Sequence, residues 1–93
     1  MATPGNEELR ALVRDGKAMP APGQDRPGRF PIRNRDDLAK AIRAVGRVEP
    51  ATEEERARVR RYIIRRAREL GAVADLPESW DLTTGRLKDG ADS

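Results

Sequence analysis

Cysteine and histidine are both absent from this chain of 93 residues, and each absence removes a class of chemistry. Without cysteine no disulfide can brace a small core, and nothing points to an oxidising compartment. Without either residue the usual zinc and iron ligand sets cannot be assembled, and the commonest general base near neutral pH is missing. Long apolar runs are lacking too. No stretch approaches the roughly 18 residues needed to cross a bilayer, and no basic segment followed by an apolar one stands near the N-terminus, so the expected setting is cytoplasmic, away from membranes.

The glycines form no phosphate loop: Gly5, Gly16, Gly23 and Gly28 are spread among prolines and do not join a strand to a helix. Acids cluster at Asp36 and Asp37 and at Glu53, Glu54 and Glu55, but both sets fall in first helical turns. Carboxylates there complement the helix dipole, which accounts for them without acid-base chemistry. The serines and threonines have no histidine to activate them, and Lys40 stands beside no nucleophile motif. The expectation is a protein that is not an enzyme and takes no cofactor or metal.

What the chain has is arginine. Of its 19 basic residues 16 are arginine, and they are unevenly placed: residues 26–71 hold 14 Arg or Lys against 7 Asp or Glu, and the rest holds 5 against 9. A basic centre between acidic ends suits a polyanion partner, or acidic tails that shield it. GC-rich coding gives the same excess without any selection for binding, so composition alone leaves both readings open.

The large apolar residues concentrate between Phe30 and Trp80, enough for one small core. Residues 6–16 read as a short helix capped by Asn6, with Leu9, Leu12 and Val13 as its apolar side. Prolines and glycines in residues 17–31 then exclude helix or central strand. Phe30, Pro31 and Ile32 read as an extended tripeptide laying apolar side chains on the helices that follow. Asn34 caps a second helix, in which Leu38, Ala41, Ile42 and Val45 share one face and which Gly46 ends. Thr52 and Glu55 form a capping box that opens a third, long helix over residues 52–70, closed by Gly71.

At about 100° per residue, Val59, Ile63, Ala67 and Leu70 of that helix form a core stripe, and Arg58, Arg61, Arg65 and Arg68 lie together on the opposite side. Tyr62 and Ile64 flank the stripe and read as core margin. After Gly71, Leu76 to Trp80 read as an extended or turn segment that Pro77 keeps out of a helix, with Trp80 folding back over the helix pair. The expected fold is all-α: a small bundle of two main helices plus a short N-terminal helix, with the Phe-Pro-Ile and Leu-Pro-x-x-Trp segments packed on them. Its divisions are residues 1–29 as short helix and loop, residues 30–80 as helical core, and residues 81–93 as a disordered tail with too little apolar area to order it.

Guanidinium groups repeated along one helix side can track phosphates with little sequence preference. The expected function is a non-catalytic module that binds nucleic acid, DNA or RNA, through Arg58, Arg61, Arg65 and Arg68. Arg33, Arg35, Lys40, Arg43 and Arg47 are possible extensions of the patch. The alternative is a protein-interaction or assembly module docking an acidic protein surface. A charged outer face is also what any solvated amphipathic helix shows, so the arginine row by itself is a weak motif.

The string as a whole resembles a small module of actinobacteria and their phages, found alone or appended to phage structural and head-maturation proteins. Phe30-Pro31-Ile32, Ala44-Val45-Gly46-Arg47, Ile63-Ile64-Arg65-Arg66-Ala67 and Leu76-Pro77 with Trp80 carry the resemblance, which covers about residues 9–80. It implies a compact helical unit, a phage-associated context and phage structural proteins as partners, with no settled biochemical activity to carry over. The loop at residues 21–29 is longer and richer in proline than the usual pattern.

Overall fold

The computed structural model describes residues 5–20, 28–45 and 52–88. Its organising element is the third helix. α1 spans Asn6–Arg14, α2 spans Arg35–Ala44 and α3 spans Glu53–Glu69, followed by a single 3-10 turn at Val73–Asp75. Among the described residues there are no strands, only two isolated antiparallel bridges, Met19 with Arg29 and Trp80 with Leu87. The protein is therefore a small all-α fold with a short N-terminal helix, as its sequence periodicity predicts.

The helix ends follow local chemistry. The Asn34 side chain accepts from the Asp37 amide at 3.0 Å, and the Thr52 hydroxyl accepts from the Glu55 amide at 3.1 Å, each satisfying a first-turn donor that the helix itself leaves free. The reciprocal half of the expected capping box gives way to a longer-range contact, because the Glu55 carboxylate pairs with Arg29. At its other end α3 closes with Gly71 at φ 68°. The Gly71 amide donates to the Arg68 carbonyl and the Ala72 amide to that of Ala67, the paired pattern that a left-handed glycine permits. α1 departs from expectation: Gly5 holds the cap position without a side-chain bond, and Asn6 is already helical. The expected end of α2 at Gly46 lies outside the described residues; the helix runs to Ala44 with Val45 as its cap.

α2 packs on α3, and the core lies between them and the segments that wrap them. Ile32, Leu38, Val59, Ile63 and Ile64 are fully buried. Each such aliphatic side chain contributes about 1.5–3 kcal/mol relative to exposure, so these five carry much of the stability of so small a fold. Met19, Ala41, Val45, Tyr62, Ala67, Ala72, Leu76 and Trp80 complete the cluster, with Phe30, Ile42, Leu70 and Leu87 packed at its edge.

Hydrogen bonds cross both of the expected divisions of the chain. The described residues before Phe30 join the core: Ala18 and Met19 are buried, Met19 and Arg29 exchange backbone hydrogen bonds, and the Ile32 amide donates to the Lys17 carbonyl. Residues 81–88 are not a loose tail. They make a turn that doubles back, with the Asp81 amide on the Arg86 carbonyl and the Lys88 amide on that of Ser79. The Asp81 carboxylate accepts from the Thr83 and Thr84 amides, and those bonds hold it below the usual carboxylate range. Apolar area was the wrong criterion for this segment, because hydrogen bonds to its backbone hold it. Residues 89–93 lie outside the described residues.

Phe30 is the other departure. It sits at φ 53°, in the left-handed region that a non-glycine residue rarely adopts, where the neighbouring proline leads one to expect extended backbone. The Tyr62 hydroxyl donates to the Phe30 carbonyl at 2.8 Å and fixes the turn from α3. Burial pushes the Tyr62 phenol far above its ordinary pKa, so it stays a donor.

Candidate polyanion interface

α3 carries seven arginines against four glutamates, and the structure divides those arginines into two sets. Arg60 and Arg66 point inward and are about 5 % exposed. Arg66 donates through Nε and Nη2 to the Ile32 carbonyl, at 3.1 and 2.7 Å, and through Nη1 to Glu69 at 2.6 Å. Arg60 donates to the Gly85 carbonyl at 3.2 Å and to Glu53 at 3.0 Å, with its guanidinium 5.9 Å from the Trp80 ring centre. These two groups clasp the entry segment and the C-terminal turn to opposite flanks of the same helix. The sequence reading passed over both. Yet the geometry that identifies the core stripe places Arg60 and Arg66 about 60° either side of Ile63, inside the buried half of the helix.

Arg58, Arg61, Arg65 and Arg68 are all exposed, on the side opposite the core. They span eleven residues, about 15 Å of helix rise. Their partners differ in kind. Arg61 donates to the Thr84 carbonyl at 2.9 Å and Arg68 to the Leu82 carbonyl at 3.3 Å. A neutral acceptor orients a guanidinium without cancelling its charge. Arg58 has its nearest carboxylate oxygen, on Glu55, at 3.9 Å, and that carboxylate is also engaged by Arg29. Arg65 is the most neutralised of the four, with Glu69 at 3.3 Å, although Glu69 serves Arg66 as well and Arg65 also donates to the Gly16 carbonyl at 2.9 Å. The bond from Arg66 holds the Glu69 carboxyl below its ordinary pKa, so it is ionised at neutral pH.

The further basic residues named from the sequence fall into three groups. Arg33 and Arg35 are in ion pairs: Arg33 with Asp37 at 2.8 Å and Glu8 at 3.4 Å, Arg35 with both oxygens of Asp75 at 2.9 Å. They tie α2 to its neighbours and are not free cations. Lys40 and Arg43 are exposed on α2, and neither side chain has a hydrogen bond or ion pair among the described residues. Arg47 lies outside the described residues. Arg86 also stands exposed, on the C-terminal turn, and its side chain has no hydrogen bond or ion pair among the described residues. The sequence signal for it was hidden by treating residues 81–93 as a tail.

Arg86 faces α3 across an open polar concavity of about 350 Å³, whose walls are Thr52, Glu54, Glu55, Arg58, Arg61 and Arg86. A second shallow depression, about 310 Å³, runs along Val73, Leu76, Pro77, Trp80 and Leu82. Tyr62 and Ile64 are buried, so neither offers a face for stacking a base. Among the described residues no three acidic side chains converge as a metal site would require, and no helix is long and apolar enough to cross a membrane.

No family model matches the chain, and no curated protein or solved structure shows significant similarity to it.

Proposed function

We propose that this chain is a non-catalytic binding module that contacts nucleic-acid phosphates through the outward arginines of α3. One observation carries the reading: Arg61 and Arg68 are held by backbone carbonyls, and Arg58 only loosely by a shared carboxylate, so the row is oriented while most of its charge is kept. Oriented guanidiniums lose less freedom on meeting a phosphate oxygen than free ones do. Four phosphate contacts on duplex DNA give a slope of about −3.6 in log affinity against log salt, or roughly a 150-fold loss between 50 and 200 mM. The test is fluorescence anisotropy of labelled duplex and single-stranded DNA and RNA over that salt range. Replacing Arg58 and Arg61 together by glutamine lowers the steepness by about 1.8 on duplex. Absence of binding at low salt refutes the proposal.

A second reading rests on a different surface. Among the described residues Val73 and Leu82 are the exposed large hydrophobics, and both line the depression beside Pro77 and Trp80. A protein-interaction or assembly module, of the kind the phage resemblance implies, would use that patch. It predicts partner binding that Val73→Asp and Leu82→Asp abolish and that salt barely changes.

A further inference from the structure

The concavity between α3 and the C-terminal turn has a feature that the rest of the arginine row lacks: guanidiniums reach it from two elements. Arg58 and Arg61 come from consecutive turns of α3, and Arg86 comes from the turn at residues 81–88. The turn's placement is not adjustable. Gly85 lies so close to α3 that an added Cβ would stand 2.4 Å from the Ala57 carbonyl oxygen. Arg61 is aimed by its bond to the Thr84 carbonyl, and the Arg86 amide is held by the Thr84 hydroxyl at 3.1 Å. Three arginines thus line one hollow with incomplete compensation: Glu55 is shared between Arg29 and Arg58, and Glu54 forms no ion pair among the described residues.

We propose that Arg58, Arg61 and Arg86 form a site for a terminal phosphate of a nucleic-acid strand, a refinement that rests on the phosphate-contact reading above. A phosphomonoester carries about −1.5 to −2 charge at neutral pH and three free oxygens, against a single charge on each internal phosphodiester. A hollow lined by three arginines suits that higher charge. The remaining row, Arg65 and Arg68, lies farther along α3, where internal phosphates of the same strand would follow.

The experiment compares one short single-stranded DNA sequence carrying a 5′-phosphate, a 3′-phosphate or hydroxyls at both ends, by anisotropy with the full chain. The expected result is about tenfold tighter binding of one phosphorylated form, equivalent to about 1.4 kcal/mol. Arg86→Gln removes the preference, while Arg68→Gln weakens all three strands and leaves it intact. Trp80 emission shows that each variant is folded. Equal, salt-sensitive affinity for all three strands overturns the terminal-phosphate site and leaves the arginine-row reading standing. Failure of every strand to bind overturns both. Tight capture of a phosphoserine peptide through Arg86, with no preference among the strands, overturns the assignment to nucleic acid.

Discussion

Gly85 and Gly71 share a left-handed backbone, φ 77° and 68°, yet alanine at the two positions should cost very different amounts. The conformational penalty is common to both, about 1–2 kcal/mol. At Gly71 nothing lies within 4 Å of the added Cβ, so that penalty is the whole effect. At Gly85 the Cβ would meet the Ala57 carbonyl oxygen at 2.4 Å and Arg61 Cγ at 2.6 Å. Ala57 is buried mid-helix and cannot retreat, so the turn must lift. Lifting breaks the bond from buried Arg60 to the Gly85 carbonyl and the one from Arg61 to Thr84. Losing a buried charged donor's partner costs about 1.5–3 kcal/mol and the exposed bond less, which brings the Gly85→Ala total to about 3–5 kcal/mol. Urea unfolding followed through Trp80, the chain's single tryptophan, measures both. Trp80 pairs with Leu87 across the turn's bridge, so its emission also reports any local peeling. Agreement of the two variants within about 0.5 kcal/mol, the usual scatter of such comparisons, would refute the placement of the turn on α3.

Two further perturbations probe the arginine clasps and the α2 cap. Arg66→Met keeps the aliphatic stem but leaves the Ile32 carbonyl without its two donors, and urea unfolding should show a loss of about 3–4 kcal/mol; an exposed-arginine control, Arg43→Met, changes stability by less than about 0.5 kcal/mol. Burial pushes the Asp37 carboxyl up, but hydrogen bonds from the Arg33 side chain and amide, with the Arg33 charge, outweigh it and hold Asp37 below its ordinary value near 3.8. The folded state therefore binds that proton less readily than the unfolded state, so the pair's contribution is complete above pH 3.8 and lost as pH falls through the lower folded value. Asp37→Asn should be less stable at neutral pH and show a flatter acid limb, read from chemical denaturation midpoints between pH 5 and about 2.

Features set by neighbours in sequence were legible. Asn34, Thr52 and Gly71 act within a turn of their own position, and their helix ends stand where local propensity puts them. The outward row of α3 was legible for the same reason, since its geometry is that of a single helix. Features that depend on distant acceptors were not. An arginine reads as solvent-facing until a carbonyl reaches it, and those of Arg60 and Arg66 come from 25 and 34 residues away. The ordering of residues 81–88 escaped notice on the same ground, because arginine donors on α3 and the close approach at Gly85 hold it in place of aliphatic burial. Phe30 adopts a backbone its own sequence disfavours because Tyr62, 32 residues on, holds its carbonyl.

Arginine side-chain Nε resonances of isotopically labelled protein, recorded while unlabelled duplex DNA is added at low salt, read the proposed interface directly. The account predicts shifts at Arg58, Arg61 and Arg68, a smaller one at Arg65, and none at the inward-facing Arg60 and Arg66. Unchanged signals at all four outward positions, or perturbation confined to the Val73 and Leu82 patch, would contradict it.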